Sequence, residues 1–311
     1  MAIGDDLSAR LRAIPAPVQG ALFMTAAALC FSVMNVFVRL ATEEMAALEV
    51  AFFRNFFALA FMLPWLARTG LGALRTKRIK LHLLRALFAL ATMITWFSAL
   101  ALLPLGEAVA LNFTAPLFAT AGAALVLGEV VRARRWTATV VGFLGTLVIL
   151  RPGFVELTPA MALPILAAVS MACASLTVKS LSRTERASTI VLYMNLFLTP
   201  LSLIPALFVW QWPDLETLGY LIGLGGTGTL AHLLMTLAFG KADASAVVPF
   251  DYIRLPFVAV IAFVLFGEVP NRWTWLGAAV IAASAVYIAR REARVAKQGA
   301  AAASESARAR P

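Results

Sequence analysis

Long apolar stretches, each bounded by charged residues, proline or glycine, follow one another along almost the whole chain. Most are about 20 residues long, the length at which a helix crosses the hydrocarbon core of a bilayer. The pattern predicts ten membrane-spanning helices, at residues 18–40, 46–67, 81–103, 105–127, 136–150, 160–179, 188–210, 217–239, 245–266 and 273–289. The fifth has only 15 residues and is expected to extend into its flanking residues. The connections are too short to hold a soluble domain.

The composition agrees with a chain that lies almost entirely in a membrane. Of the 311 residues, 61% are hydrophobic and 14% are charged, against about 45–50% and about 25% in soluble domains. These values exclude a soluble enzyme, a disulfide-rich secreted module and a disordered chain. The first apolar run, residues 18–40, is longer than the 7–15 residues of a signal-peptide core. We therefore expect an uncleaved first helix. The only two cysteines lie in apolar runs and are expected to be packing residues.

The formal net charge of +10 reflects where the basic residues lie relative to the membrane. With a cytoplasmic N-terminus, twenty Lys and Arg residues fall in segments on the cytoplasmic side. Only Arg151 and Arg272 fall on the other side, with Arg39 at a boundary. The positive-inside rule therefore predicts that both termini are cytoplasmic. The membrane is expected to be the cell's inner (plasma) membrane. The basic excess faces anionic lipid, so no nucleic-acid partner is expected.

The two halves of the chain are similar to each other at a spacing of about 140 residues. Residues 35–39 align with residues 175–179, and Gly128-Glu129 aligns with Gly267-Glu268 when one residue is removed. An odd number of spans in each unit inserts the second unit upside down, and such inverted repeats are typical of secondary transporters. The predicted organisation is given by four ranges: a cytoplasmic segment at 1–17, five-helix repeats at 18–151 and 160–290, and a disordered cytoplasmic tail at 291–311.

These repeated segments resemble the drug/metabolite transporter superfamily, and within it the EamA-type transporters. The matching segments are residues 108–116 with Gly128-Glu129 in the first half, and residues 244–252 with Gly267-Glu268 in the second. The resemblance implies an all-α membrane bundle of ten helices around a central cavity that works by alternating access. Members of this group move amino acids, riboflavin, S-adenosylmethionine, metallophores and drugs, so the resemblance leaves the substrate open.

The most informative charged residues inside a span are Asp251 and Arg254, because charges in a membrane are costly and mark function by default. They are three residues apart in the ninth predicted helix and therefore share a face. Two interpretations remain open: an ion pair that makes both charges tolerable, or a binding site for a zwitterion or a coupling proton. Pro249 and Pro256 are expected to loosen this helix and to free backbone carbonyls.

Other polar and aromatic residues at the depth of a cavity are further candidates for substrate binding or coupling. Any one of them can equally be a helix-packing residue. The aromatic residues can stack on a flat ring or cover a cation, and a histidine can carry a proton near neutral pH. This candidate set contains Asn35, Arg54, Trp96, Asn112, Phe113, Asn195, His232 and Tyr252.

A second group of residues is expected to be structural. Glu129 and Glu268 end the fourth and ninth predicted helices and are expected to brace them, with salt bridges to Arg132–Arg135 or Arg272. Pro116 and Pro256 lie within the same two predicted helices and are also expected to be structural. Three charges close to helix ends are expected to be interface anchors. These are Glu49, Arg85 and Glu107. Gly219 and Gly223 have the GxxxG spacing of close helix packing.

The leading hypothesis is a gradient-driven transporter of a small zwitterionic or heteroaromatic metabolite, acting as a monomer or homodimer, with a proton as a candidate coupling ion. No cofactor or metal is expected, and the chain lacks a Walker-type loop for ATP. A multidrug or metabolite exporter remains an alternative. An intramembrane enzyme is disfavoured because only two histidines and no intramembrane acidic pair are present. A channel is disfavoured because nothing resembles a selectivity filter.

Overall fold

The computed structural model describes residues 14–103, 111–150, 158–267, 269 and 272–308. Every regular element in these residues is helical. The ten main helices are α1 (Ala16–Ala41), α2 (Ala47–Thr69), α3 (Ile79–Leu102), α4 (Ala115–Leu127), α5 (Ala133–Leu150), α6 (Ala162–Leu181), α7 (Ala187–Ala206), α8 (Leu215–Lys241), α9 (Arg254–Phe266) and α10 (Arg272–Arg308). Short 3-10 turns lie at Leu71–Leu74 and Pro159–Met161.

Within the described residues, nine helical segments are long and apolar enough to cross a membrane. The chain is therefore a multi-span membrane protein. The fifth helix begins at Ala133 and reaches 18 residues, which confirms that it borrows residues from its N-terminal flank. The shorter apolar helix is α4, with 13 residues. Its predicted first part, together with Glu107, falls in 104–110, outside the described residues.

The segment predicted as one helix at 245–266 is broken. It consists of a one-turn helix at Ala244–Val247, a 3-10 stretch at Val248–Ile253 and then α9. Proline has no N–H to donate and clashes with the preceding turn, so Pro249 interrupts the α-helical hydrogen bonds here. Pro256 lies in the first turn of α9, where a missing N–H leaves no bond unmade. The expected loosening of this helix is confirmed.

A similar interruption precedes α4. Leu111 and Asn112 are helical, Phe113 and Thr114 form a turn, and α4 then begins with Pro116 in its first turn. Both interruptions place an aromatic side chain, Phe113 or Tyr252, on backbone that is not part of a regular α-helix, next to the polar residues Asn112 and Asp251. Both α4 and α9 end at a glycine with positive φ, Gly128 and Gly267.

The C-terminal tail differs from the sequence prediction. Residues 291–311 are predicted to be disordered, but α10 continues without a break to Arg308. The segment is rich in alanine, arginine and glutamate, which have the highest helix propensities. The tail also continues a helix that has already been nucleated in the membrane, so each added residue extends the helix at low cost. Both effects explain why the tail is helical.

Helix packing pairs the two halves of the chain with each other. The main pairs are α1 with α8, α3 with α6, α2 with α7 and α5 with α10. Further pairs are α4 with α6, α1 with α9, α3 with α7 and α2 with α8. These eight pairs are symmetric between the two halves. When α1–α5 are exchanged with α6–α10, in order, each pair becomes either itself or another of the eight.

Close packing of α8 depends on glycines other than those predicted. A Cβ at Gly219 would meet nothing within 4 Å, so the GxxxG interpretation is wrong at this position. A Cβ at Gly223 would lie 2.8 Å from the Phe37 ring. The tightest site is Gly225, where a Cβ would lie 2.4 Å from Phe57 Cβ and 2.9 Å from the Ala58 backbone nitrogen. Backbone of α2 therefore approaches α8 directly at Gly225.

We expect Gly225→Ala to destabilise the protein and Gly219→Ala, its control on the same helix, to have little effect. The added methyl at 225 meets backbone atoms that cannot rotate away, and overpacking of this kind costs about 1–3 kcal/mol. Thermal unfolding in detergent measures the difference as a lower midpoint for Gly225→Ala. Equal midpoints for the two variants would contradict the packing described here.

Candidate functional site

A central cavity of about 580 Å³ lies between α1, α2, α3, α4, α6, α7, α8 and α9. This volume is within the range of about 300–1,000 Å³ that is usual for small-molecule sites. Eight of the ten residues predicted to bind substrate or couple transport line this cavity. They are Asn35, Arg54, Trp96, Asn112, Phe113, His232, Asp251 and Arg254.

Asp251 and Arg254 form an ion pair at the junction between the 3-10 stretch and α9. Arg254 Nη2 donates to Asp251 Oδ1 at 2.5 Å, and the two side chains are 23% and 18% exposed respectively. The Arg254 guanidinium also lies over the Phe31 ring, 4.6 Å from its centroid. Arg254 Nε is buried and has no hydrogen-bond partner among the described residues. The ion pair therefore leaves one N–H donor of Arg254, at Nε, unused beside the cavity.

Tyr252 does not line the cavity. Its side chain is fully buried, stacks on Phe113 with 6.2 Å between ring centroids, and fills the space beside Gly142, where a Cβ would lie 2.5 Å from the tyrosine ring. Phe113 and Tyr252, the aromatic residues of the two interrupted segments, thus contact each other directly. The Tyr252 side chain is therefore part of the helix packing behind the cavity lining.

Asn195 also lies away from the cavity lining. It is buried, and neither its amide oxygen nor its amide nitrogen has a hydrogen-bond partner among the described residues. A polar residue that the sequence analysis missed lies nearby: Asn55 lines the cavity and donates to Ser202 Oγ at 3.1 Å. Arg54 in turn donates to Asn55 Oδ1, at 3.1 Å from Nη2.

Two of the charges predicted to be interface anchors are buried instead. Arg85 is 2% exposed, lines the cavity and donates to the Ile190 carbonyl at 3.0 Å. Glu49 is fully buried and accepts a hydrogen bond from the Gln211 backbone N–H. The prediction is therefore wrong for both. Distance along a helix from its end does not reveal whether a neighbouring helix covers the side chain.

Methionine is a further component of the lining that sequence reasoning missed. Methionine side chains are flexible and polarisable and adapt to the faces of aromatic rings. Six of them line the cavity from five helices, α1, α3, α6, α7 and α8. They are Met24, Met34, Met93, Met171, Met194 and Met235. The sequence gives no signal that sets these six apart from the other methionines.

Next to one end of the cavity, beside the lining residues Val178, Phe239 and Val248, lies a set of polar residues that we call the Glu129 network: Glu129, Arg135, Lys179, Asp243 and Ser245. Glu129 accepts hydrogen bonds from the backbone N–H groups of Ala244 and Ser245, at 2.8 and 3.0 Å, and from Ser245 Oγ at 2.8 Å. Arg135 donates to Asp243 and to Ser245 Oγ. The predicted bracing role of Glu129 therefore has contacts to support it, but its direct partners belong to the second half of the chain.

Lys179, another member of the Glu129 network, contacts the end of α8. Its ammonium group donates to the backbone carbonyls of Phe239 and Ala242, at 2.9 and 2.5 Å, and so holds the last turn of α8. Gly20, near the start of α1, packs against Ala242. The Glu129 network therefore lies near the first residues of α1. Thr42 follows the last residue of α1 and lines the cavity at its other end.

The remaining structural candidates are Pro116, Pro256 and Glu268. Pro116 is buried in the first turn of α4 and lines the cavity. Pro256 lies in the first turn of α9, as described above. Glu268, the counterpart of Glu129 in the second half, falls outside the described residues.

The sequence matches the model of the EamA-like transporter family twice, at residues 18–151 and at residues 158–290. The chain belongs to the EamA-like transporter family. This family is part of the drug/metabolite transporter superfamily, in agreement with the resemblance noted from the sequence. As a member of this family, the chain is a membrane transporter.

Several EamA-like relatives carry the name of a solute. A riboflavin transporter of Vibrio cholerae is 38% identical over 283 residues, covering 89% of this chain and 95% of the relative. A riboflavin transporter of Rhizobium johnstonii is 38% identical over 280 residues, covering 89% and 93%. An S-adenosylmethionine uptake transporter of Rickettsia bellii is 33% identical over 240 residues, covering 77% and 82%. All three are transporters of small metabolites.

The fold is also that of a solved protein. A protein crystal structure superimposes with a TM-score of 0.75 at 20% sequence identity, covering 88% of this chain and 97% of the solved chain. At this identity the similarity shows a shared fold and nothing about the solute.

Proposed function

We propose that this EamA-like protein is a gradient-driven transporter of riboflavin or a closely similar uncharged heteroaromatic metabolite. The observation that carries the proposal is the lining of the central cavity. It combines aromatic rings and methionines with guanidinium and amide donors. A flat ring can stack on the aromatic residues and methionines, while the polar groups bind the ring's carbonyl and nitrogen acceptors. The similarity to two riboflavin transporters at 38% identity supports the same solute.

We further propose alternating access between two inverted repeats of five helices, with ten helices in all. The packing supports this arrangement, because exchanging the first five helices for the second five converts the eight pairs named above into one another. The matching interruptions before α4 and α9 support it as well. Interrupted helices near the membrane centre are a recurring feature of transporter binding sites.

The distribution of basic residues supports cytoplasmic positions for both termini. In this orientation the Glu129 network faces the cytoplasm and the opposite end of the cavity, at Thr42, faces outward. The described conformation is then outward-facing. Transport would require the Glu129 network to open while the outer ends of the helices close.

We propose Asp251 as the candidate site for a coupling proton, because it is the only carboxylate among the described residues that line the cavity. Protonation would release Arg254 from its ion pair when solute binds or leaves. One copy of the chain contains both halves of the cavity, which supports a monomer as the transporting unit. A homodimer would then contain two separate cavities.

Other functions are less well supported. An S-adenosylmethionine transporter has the similarity to the Rickettsia relatives in its favour, but its cationic solute would meet a lining with more positive than negative groups. An intramembrane enzyme would need clustered carboxylates, histidines or metal ligands around the cavity, and the described lining has one histidine and one carboxylate. A channel does not need a closed end of the kind that the Glu129 network forms.

Counterflow in proteoliposomes tests the proposed function. Vesicles containing the purified full-length protein are loaded with unlabelled riboflavin, and entry of labelled riboflavin is followed, with protein-free vesicles as control. We expect transient accumulation of label, which a channel does not produce. The experiment is repeated with S-adenosylmethionine in both its unlabelled and labelled forms. Accumulation of S-adenosylmethionine but not of riboflavin would show that riboflavin is the wrong solute. Accumulation with neither would contradict the proposal.

A further inference from the structure

The charged groups of the cavity do not balance. Three guanidinium groups, of Arg54, Arg85 and Arg254, line it together with one carboxylate, that of Asp251. Asp251 is paired with Arg254 at 2.5 Å. Arg54 and Arg85 have no carboxylate within ion-pair distance among the described residues. The lining therefore carries two positive charges that no carboxylate among the described residues neutralises.

The two unneutralised guanidiniums act on the same space. Arg54 and Arg85 both line the cavity together with His232, and the electrostatic interaction between the two guanidiniums is repulsive. Arg54 donates only to the side-chain amide of Asn55, and Arg85 donates only to one backbone carbonyl, within the part of the chain that the structure describes. Since a guanidinium has five N–H donors, most of their donor capacity is unused.

Burial makes this arrangement costly in the absence of a solute. Arg85 is 2% exposed, and a buried charge without a counter-charge is strongly destabilising. Unpartnered buried donors at Arg254 Nε and an unpartnered Nδ1 of His232 border the same cavity. A solute that brings negative charge or several acceptor oxygens would satisfy these groups, and a cationic solute would increase the repulsion.

We infer that Arg54 and Arg85 form an acceptor subsite that holds a carbonyl-rich or oxyanion group of the solute. The inference rests on the proposed function and extends its substrate class. Uncharged ring solutes with adjacent carbonyl groups bind, phosphorylated forms of the same ring bind at the same place, and cationic solutes are rejected. A planar guanidinium donates two parallel hydrogen bonds to a phosphate or carboxylate, which suits it to this role.

Binding competition tests the subsite in the full-length protein in nanodiscs. The probes are riboflavin, its 5′-phosphate ester as the oxyanion, and S-adenosylmethionine as the cation. We expect the phosphate ester to displace labelled riboflavin, and S-adenosylmethionine to displace it at least about tenfold more weakly. If S-adenosylmethionine displaces riboflavin as well as the phosphate ester does, the charge argument is wrong.

Variants assign the effect to the two arginines. Arg54→Gln and Arg85→Gln are each expected to weaken binding of the phosphate ester at least about tenfold, and of riboflavin by less. Arg85→Lys keeps the charge but not the two-pronged donor, so we expect an intermediate loss. Arg183→Gln removes an exposed guanidinium outside the cavity and serves as the matched control. Unchanged binding of the phosphate ester in both Gln variants would overturn the inference.

The two proposals fail in different ways. If riboflavin is not transported but the phosphate ester binds and depends on Arg54 and Arg85, the proposed solute is wrong and the subsite stands. If riboflavin is transported but the phosphate ester does not bind, the function stands and the subsite is wrong. Should Arg85→Gln fail to fold because it loses the bond to Ile190, Arg54→Gln and Arg85→Lys still decide the outcome.

Discussion

Replacement of Asp251 by asparagine is expected to lower the initial rate of solute uptake at least about tenfold, with the protein still inserted in the membrane. The change leaves Arg254 without its counter-charge in a cavity that already contains the guanidiniums of Arg54 and Arg85. Removing one partner of a buried ion pair costs about 3–5 kcal/mol. Because both side chains remain partly exposed, we expect the cost for this pair to lie at the lower end of that range. Uptake into proteoliposomes, normalised to reconstituted protein, measures the effect.

The double variant Asp251→Asn with Arg254→Gln separates a functional pair from a merely structural one. It removes both charges together, so a structural pair would be replaced at little cost and transport would recover. We expect it to stay inactive. Asp251→Asn is also expected to remove any acceleration of uptake by a pH gradient, because asparagine cannot bind the coupling proton that we propose for Asp251. Normal transport by the double variant would exclude the pair from the mechanism.

The second large effect is expected at Glu129. Its carboxylate accepts three hydrogen bonds from Ala244 and Ser245, and hydrogen bonds to charged groups contribute about 1.5–3 kcal/mol each. Glu129→Ala removes all three and destabilises the conformation in which the cavity is closed at the Glu129 network. A loss of about 3 kcal/mol shifts a two-state equilibrium by more than about a hundredfold. We therefore expect slower transport and a population shifted towards the opposite, cytoplasm-open state.

Cysteine labelling reports the shift directly. Cys30 and Cys173 are first replaced by alanine, and a cysteine is introduced at Val248, which lines the cavity near the Glu129 network. We expect Glu129→Ala to increase labelling from the cytoplasmic side. Glu44→Gln, a change at an exposed carboxylate at the other end of α1, is the control. Equal labelling in the two variants would show that the network does not close the cavity.

Much of the helical framework was predictable because it depends on local patterns. Apolar stretches of membrane length predicted α1, α2, α3, α6, α7, α8 and α10 to within a few residues at their membrane ends, except for the later end of α7. Proline positions predicted that the segment before α9 would loosen, since Pro249 cannot take part in the helix ladder. Family membership was accessible from the repeated Gly-Glu and Asn/Asp-aromatic segments.

Errors arose where burial depends on neighbouring helices. Arg85 and Glu49 lie near helix ends and were predicted to reach the interface, but α7 and the segment after it cover them. Tyr252 follows a cavity residue in sequence yet points into the packing beside Gly142. Gly219 has the expected spacing but faces open space, whereas Gly225 meets the backbone of α2. None of these facts is a property of one helix alone.

The sequence by itself determined that this chain is a membrane protein with many spans and which family it belongs to, because hydrophobic length and repeated motifs are local. Only the tertiary structure decided which charges share the cavity. Arg54, Arg85 and Arg254 come from three different helices, and Glu129 meets Ser245 across 116 residues of sequence. Electrostatic balance depends on distances between helices, and those distances exist only after the helices have packed.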